Sequence, residues 1–191
     1  MPEQNQYTVA REKILWASII PQMIIMTIST LWIYFSKSNK ISNYLQFNFI
    51  LFFQGILAGT VLAFAGYIFY RFAKKTKIFY ETVELFEERL APVFKNLKPR
   101  DIMILSLVSG FSEEVLFRGL VLPTFGIVIA SISFGLLHLP GFKYWIYAVW
   151  ATLSGFLLGF LLIFSGSLWL PITTHITNNI IGMVMLKKLK S

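Results

Sequence analysis

Residues 47–70 read FNFILFFQGILAGTVLAFAGYIFY, a run of 24 residues without a formal charge. A helix needs about 20 residues to cross the hydrocarbon core of a bilayer, because each residue advances it by about 1.5 Å. This stretch is therefore long enough to span a membrane. Residues 14–35 form a second uncharged run, of 22 residues, with Pro21 inside it. Both runs predict transmembrane helices.

The composition of the whole chain indicates the same class of protein. Of the 191 residues, 56% are hydrophobic and only 14% are charged, whereas a soluble globular chain has about 25% charged residues. These values argue against a cytosolic enzyme and exclude a disordered chain. The chain contains no cysteine, which excludes disulfides, thiol catalysis and cysteine-ligated zinc.

Residues 71–101 differ in kind from the rest, because they contain eight Lys or Arg residues and five Asp or Glu residues. Apolar residues recur among them at intervals of three or four, which is typical of one face of an amphipathic helix. They are Phe79, Val83, Phe86, Leu90, Phe94 and Leu97. The segment is predicted to be a connecting helix that lies on the membrane surface or against the bundle, with a partner-binding element as the alternative, and with a bend or break near its end at Pro92.

Residues 102–186 are apolar again, and three sequence features divide them: Pro123, the pair Pro140-Gly141, and Ser165-Gly166-Ser167. These breaks predict spans near 102–122, 126–139, 145–164 and 168–186. The predicted fold is an all-α membrane protein, a polytopic bundle of about six transmembrane helices plus one cytoplasmic amphipathic helix. Its predicted parts are 1–98 (two membrane helices and the connector), 99–186 (a core of four membrane helices) and 187–191 (a basic cytoplasmic tail).

The basic residues predict the orientation of this bundle. With six spans, 14 of the 17 Lys and Arg residues fall on the side that holds both termini, and only Lys37 and Lys40 fall on the other. The positive-inside rule then places both termini in the cytoplasm, and the protein in the cell membrane if the host is prokaryotic. The net charge of +8 is explained by this arrangement, so no nucleic-acid partner is predicted.

Three ionisable residues lie inside one predicted span: Glu113, Glu114 and Arg118. Each such group costs roughly 2.5–3.5 kcal/mol to insert at the centre of a membrane helix, so an intramembrane charge is a candidate functional residue. Glu114 and Arg118 are four residues apart and can form an ion pair on one helix face. Glu113 has no such local partner, which leaves its carboxylate available as a general base.

Both histidines of the chain also lie in predicted spans. His138 ends the short third-to-last span, and His175 lies in the last span, four residues before Asn179. This spacing puts His175 and Asn179 on one helix face, where both can donate hydrogen bonds to a shared point. A bundle does not need Glu, two His and Asn on three spans for packing alone, so the four residues are predicted to form a site.

The patterns Glu113-Glu114-x-x-x-Arg118, Phe134-x-x-x-His138 and His175-x-x-x-Asn179 resemble, in this order, the motifs of the CPBP family. This family comprises type 2 CAAX prenyl proteases and bacteriocin-processing or self-immunity (Abi) proteins, and the resemblance covers about residues 99–186. It implies an intramembrane glutamate protease in which Glu113 and His138 activate water while His175 and Asn179 stabilise the oxyanion. Glu114 and Arg118 would support the helix and orient Glu113.

The resemblance also implies the partners. The substrate would be a peptide or protein, prenylated or similar to a bacteriocin precursor, and the site would lie within the lipid bilayer. No cofactor is predicted. Zinc is a weaker alternative, since Glu113, His138 and His175 are residue types that bind zinc, but the pattern His-Glu-x-x-His is absent from the chain.

Two other functions compete with the protease. A non-catalytic immunity or scaffold protein could use the same polar cluster to bind a peptide or partner. A proton-coupled transporter could use the carboxylates as a relay, but it would favour inverted repeats, which the sequence does not show.

The depths of the site residues raise a geometric question. Glu113 lies about 17 Å along its helix from Ile102, and His175 is similarly deep, whereas His138 stands next to the predicted cytoplasmic loop 140–144. For these side chains to meet, the short span must enter deep and the loop must dip into the bundle. A cavity open to the cytoplasm is therefore predicted.

Overall fold

The computed structural model describes residues 11–36 and 40–189, and every regular element in these ranges is helical. The α-helices are α1 (Arg11–Ser36), α2 (Lys40–Tyr44), α3 (Phe49–Ala73), α4 (Tyr80–Glu84), α5 (Ala91–Lys95), α6 (Pro99–Leu116), α7 (Leu122–Leu137), α8 (Trp145–Ser165) and α9 (Trp169–Lys187). Turns of 3₁₀-helix occupy Lys77–Phe79 and Phe142–Tyr144, and π-helical turns occupy Leu85–Leu90 and Phe117–Val121. The predicted all-α class is confirmed for the described residues.

Four helical segments are long and apolar enough to cross a membrane: Arg11–Ser36, Phe49–Ala73, Pro99–Leu137 and Phe142–Ser165. Large apolar side chains such as Phe53, Leu57 and Phe64 are exposed on the outer face of α3, which suits contact with lipid rather than water. The chain is thus a multi-pass membrane protein. The finer count of six spans stays a prediction, because Pro99–Leu137 counts as a single segment among these four and α9 is not one of them.

The run Pro99–Leu137 is not a straight rod, because Gly126 interrupts it with a φ of 83° and a ψ of 167°. A residue with a Cβ adopts this conformation only with strain, so glycine is required here. Glu113 precedes Gly126 by 13 residues and His138 follows it by 12, and yet their side chains lie 3.7 Å apart. The chain therefore folds back on itself at Gly126, and the two arms run side by side in opposite directions.

The position of this break corrects the sequence prediction. Pro123 lies in the first turn of α7, where its missing N–H is not needed by the helix. The helix therefore passes through Pro123, and the chain turns three residues later at Gly126. The other two predicted breaks are confirmed: 138–144 separates α7 from α8, and Gly166, with a φ of 64°, ends α8.

Helix α9 packs between α3 and α6 and is in close contact with both. Gly55 of α3 lies against Thr173 and Gly59 lies against Thr174, so α3 and α9 run parallel in close contact. On the other side, Gly110 of α6 lies against Ile176. The first half of α9 is consequently buried, from Leu170 to His175.

Gly59→Ala is expected to lower the free energy of unfolding by about 1–3 kcal/mol, because a Cβ at Gly59 would overlap the carbonyl oxygen of Thr174, which cannot rotate away. Gly66→Ala in the same helix is the control, since the nearest atom to its Cβ, in the ring of Trp150, is 3.7 Å away. Thermal unfolding in detergent measures both variants. Equal effects of the two substitutions would contradict the close contact of α3 with α9.

The segment 77–97 carries the predicted apolar stripe, and none of its six residues is exposed: Phe79, Val83, Phe86, Leu90, Phe94 and Leu97. It is not one regular α-helix, because the π-helical turn Leu85–Leu90 separates α4 from α5. Pro92 is predicted to break or bend the helix near its end. The regular α-helix is interrupted by the π-helical turn just before Pro92, and α5 then continues to Lys95, since a wider turn accommodates the missing backbone donor.

The starts of α1 and α6 and the end of α9 lie at one end of the bundle. Arg11 donates two hydrogen bonds to the carboxylate of Asp101, and Nζ of Lys187 donates to the carbonyl oxygen of Leu97. Residues 1–10 and 190–191, and with them parts of the predicted cytoplasmic termini, lie outside the described residues. The same holds for Lys37 and for the side chain of Lys40, which were assigned to the opposite side.

Candidate active site

Helix α6 carries two adjacent carboxylates in the interior of the protein. The residue Glu113 is 6% exposed and Glu114 is fully buried, and both lie just before the π-helical turn Phe117–Val121. Neighbouring residues of a helix point about 100° apart. The two carboxylates therefore face different sides of α6, and the ring of His175 lies against both of them.

Glu114 is held in a buried ion pair. Nη1 of Arg118 donates to Oε1 of Glu114 at 3.0 Å, and Nη2 donates to the carbonyl oxygen of Gly155 at 3.2 Å. The guanidinium group also lies over the ring of Phe134, 4.3 Å from its centre, a favourable cation–π position. The predicted pair of Glu114 and Arg118 is confirmed. It fixes α6 against α8 rather than contacting the cavity.

Glu113 presents its two oxygens to different groups. Oε1 accepts a hydrogen bond from Nε2 of Gln22 at 2.8 Å. Oε2 faces Nε2 of His138 at 3.7 Å and Nε2 of His175 at 3.9 Å. Among the described residues, this buried Oε2 has no hydrogen-bond partner. The structure thus brings together three residues that the sequence singled out.

The orientation of each imidazole is set by a contact of its other nitrogen. Nδ1 of His138 lies 2.8 Å from the carbonyl oxygen of Phe134, which can only accept, so Nδ1 carries a proton. Nδ1 of His175 lies 2.8 Å from Oε1 of Glu114, and a carboxylate likewise accepts. In both rings Nε2 is therefore the nitrogen turned toward Glu113.

Asn179 lies one helical turn beyond His175, on the wall of the same cavity. Its Nδ2 donates to Oγ of Ser109 at 3.1 Å, and its Oδ1 accepts from Nδ2 of Asn178 at 3.4 Å. One of the two N–H groups of Asn179 is left for another acceptor, since the amide nitrogen carries two.

The fold-back at Gly126 explains how His138 reaches the deep Glu113. Because the arms before and after Gly126 are nearly equal in length, α7 ends at the depth of Glu113 instead of at the end of the bundle. In the turn that follows, Tyr144 is buried and its hydroxyl group donates to Glu84 at 3.4 Å. Pro140, Phe142 and Lys143 are exposed, so the dip of the whole loop into the bundle stays a prediction.

The polar residues line a cavity of about 390 Å³. Six polar side chains share one part of its wall: Ser109, Glu113, His138, His175, Asn178 and Asn179. The remaining wall is largely aromatic and aliphatic. Segment 77–97, called the connecting segment below, contributes Phe86, Leu90 and Phe94. The lining extends to Leu186 and Leu189 at the end of α9. The cavity therefore runs from the carboxylate of Glu113 toward the end of the bundle where α6 begins.

Three polar residues at this site were not singled out from the sequence: Gln22, Ser109 and Asn178. Gln22 is the one with a usable signal, because an amide in the middle of an apolar span is rare and usually has a partner. Ser109 lies one turn before Glu113 on α6, where a hydroxyl group can bond its own helix, and so gives no signal. As to metals, no three acidic or histidine side chains among residues 11–36 and 40–189 are arranged to hold one ion.

Two ion pairs attach the connecting segment to its neighbours beside this cavity. Nζ of Lys143 lies 2.9 Å from both carboxylate oxygens of Glu84. Nζ of Lys74 lies 2.6 Å from Oε1 of Glu87, which also accepts from the hydroxyl group of Tyr70. The first pair joins the segment to the turn before α8, and the second joins it to α3.

The ion pair of Lys143 with Glu84 is expected to weaken in acid. The hydrogen bond from Lys143 holds the pKa of Glu84 below its ordinary value, against the opposing effect of burial. A lowered carboxyl pKa contributes stability above the ordinary pKa and loses it as the pH falls through the folded-state pKa. The difference in unfolding temperature between wild type and Glu84→Gln should thus be positive at pH 7 and shrink below about pH 4.5. Glu88→Gln, at an exposed position of the same segment, should show a smaller difference; a pH-independent gap for Glu84→Gln would contradict the expectation.

Comparison with known proteins agrees with the motifs. Residues 96–181 match the sequence model of the family described as Type II CAAX prenyl endopeptidase Rce1-like. The uncharacterized protein YpbD of Bacillus subtilis (strain 168) is 34% identical over 83 residues, which cover 44% of each protein. The chain thus spans less than half the length of this relative, and no solved structure matches it. Residues 96–181, which contain Glu113, His138, His175 and Asn179, are thus a domain of the Rce1-like type II CAAX prenyl endopeptidase (CPBP) family.

Proposed function

We propose that the chain is an intramembrane endopeptidase in which Glu113 is the general base. The observation that carries this proposal is the environment of Oε2 of Glu113, a buried carboxylate oxygen with two imidazole Nε2 atoms within 4 Å. Its other oxygen is occupied by Gln22. A carboxylate held in this way has one oxygen directed at the groups with which it would act.

Glu113 and His138 would activate the attacking water. Their facing atoms are 3.7 Å apart, too far for a direct hydrogen bond but suitable for one bridging water. The water would donate one proton toward each acceptor and turn a lone pair to the substrate. As its oxygen bonds to the scissile carbonyl carbon, Glu113 takes up the released proton.

His175 and Asn179 would stabilise the oxyanion that forms at the carbonyl oxygen. Donation from Nε2 of His175 requires a proton on both ring nitrogens, and Glu114 accepts the one on Nδ1. The free N–H of Asn179 is the second donor. Donors preset where charge develops contribute on the order of 3 kcal/mol each. Glu113 then delivers its proton to the leaving nitrogen as the C–N bond breaks, which yields a carboxylic acid and an amine.

The substrate would be a peptide that enters from the cytoplasmic end of the bundle. The cavity reaches the end where α1 and α6 begin, and most Lys and Arg residues belong to that end, which favours a cytoplasmic location. Its aromatic and aliphatic wall suits an apolar peptide segment or a lipid-modified one. Prenylated proteins and bacteriocin-like precursors are the two classes that we propose.

A comparison of peptide termini tests the function without knowledge of the substrate. New termini are mapped in membranes of cells that express wild type, Glu113→Ala or Glu88→Ala at matched abundance. Termini present with wild type and Glu88→Ala, and absent with Glu113→Ala, are the expected result. They would also identify the substrate. Identical termini for wild type and Glu113→Ala would refute the proposal.

A further inference from the structure

A residue outside the family-matching stretch contacts the proposed base. Gln22 lies near the middle of α1, directly after Pro21, and its Nε2 donates to Oε1 of Glu113 at 2.8 Å. The two residues are 91 positions apart in the chain. Because Gln22 precedes residues 96–181, the family motifs say nothing about this contact.

The amide of Gln22 is itself oriented. Oγ of Ser112 donates to Oε1 of Gln22 at 2.6 Å, and the same hydroxyl group lies 2.8 Å from the carbonyl oxygen of Val108. The reverse orientation of the amide would put its oxygen against an oxygen of Glu113 without a proton between them. Ser112 and Glu113, neighbours on α6, thus hold opposite ends of one amide from α1.

We propose that Gln22 is a positioning residue for Glu113. By holding Oε1, it stops the carboxylate from rotating and keeps Oε2 directed at His138 and His175. This inference rests on the proposed role of Glu113 as the base. It gives helix α1 a role in the reaction in addition to anchoring the protein in the membrane.

Kinetics of two variants test the role. Gln22→Met keeps the length of the side chain and removes the donor, while Gln22→Glu keeps the shape and replaces the donor with an acceptor. With the substrate peptide found by terminus mapping, both should lower kcat by roughly 10–100-fold and leave KM within about twofold. Gln54→Met, at an exposed position of α3, is the control and should keep the wild-type kcat.

A second measurement does not depend on proteolysis. A membrane-permeant carbodiimide is reacted with the purified protein, and mass spectrometry compares the modification of Glu113 with that of Glu114. Oε1 of Glu113 loses its hydrogen bond in Gln22→Met, so labelling of Glu113 should rise several-fold. Glu114 keeps Arg118 and His175 as partners and should be unchanged, which makes it an internal reference.

The two measurements separate the failure of this inference from the failure of the protease proposal. If labelling of Glu113 rises in Gln22→Met but wild type shows no proteolysis, Gln22 does hold the carboxylate of Glu113 and the protease proposal is overturned. Unchanged labelling in Gln22→Met would overturn the positioning role, as would a Gln22→Glu variant with wild-type kcat. A loss that Gln54→Met reproduces would mark a general effect of polar-to-apolar change and would also overturn it.

Discussion

Glu113→Gln is expected to reduce the initial rate of terminus formation by roughly 10²–10⁴-fold, the range that a general base contributes. The amide has the shape of the carboxylate and can occupy the same place beside Gln22 and the histidines, but it cannot take a proton from water. The fold should therefore persist while hydrolysis is lost. The measurement is the rate at which the mapped product appears in membranes that contain equal amounts of each protein.

The same substitution separates the protease from its rival. A non-catalytic immunity or scaffold protein would keep its function in Glu113→Gln, since a neutral isostere preserves the shape of a binding site. Glu88→Gln, on the exposed side of the connecting segment, controls for the loss of one acidic residue and should leave the rate unchanged. A Glu113→Gln variant that forms product at the wild-type rate would exclude Glu113 as the base.

Arg118→Met is expected to destabilise the protein by about 3–5 kcal/mol, the cost of removing one partner of a buried ion pair. Arg118 is 1% exposed and Glu114 is fully buried, so water cannot replace the lost cation. The variant also gives up the hydrogen bond to the carbonyl oxygen of Gly155 and the contact with Phe134. Chemical denaturation in mixed micelles measures the free energy of unfolding.

A double variant shows whether the charge is the cause. In Glu114→Gln combined with Arg118→Met, the carboxylate that Arg118→Met leaves unpaired is removed, and most of the lost stability should return. Activity should not return with it, because Nδ1 of His175 has then lost its carboxylate partner. A double variant no more stable than Arg118→Met would show that packing, rather than the buried charge, determines the loss.

Helical periodicity and local spacing were sufficient to predict much of the molecule. The long uncharged runs predict the apolar helices, and the i, i+4 relation of Glu114 and Arg118 predicts their ion pair, because both depend only on the geometry of one helix. No residue of the apolar stripe from Phe79 to Leu97 is exposed, as expected for the same reason. The roles of Glu113, His138, His175 and Asn179 in catalysis stay predictions, although the structure places these side chains around one cavity.

Such patterns cannot predict contacts between residues that are far apart in the sequence. The position of the fold-back is one example: proline is the stronger helix breaker in sequence, but Pro123 lies in a helical first turn that does not use its N–H, and Gly126 makes the reversal. The hydrogen bond from Gln22 to Glu113 is another, since nothing local relates residues 91 positions apart.

Patterns within the chain therefore predict a helical membrane protein and single out four polar residues, Glu113, His138, His175 and Asn179, that a helix facing lipid would not need. That information is local, because hydrophobic runs and helical spacing are properties of short segments. The tertiary structure adds that a reversal at Gly126 brings His138 to the level of Glu113 and that Gln22 occupies one oxygen of the carboxylate. Both depend on how helices pack against one another, and close packing is settled by the whole set of side chains at an interface rather than by any one segment.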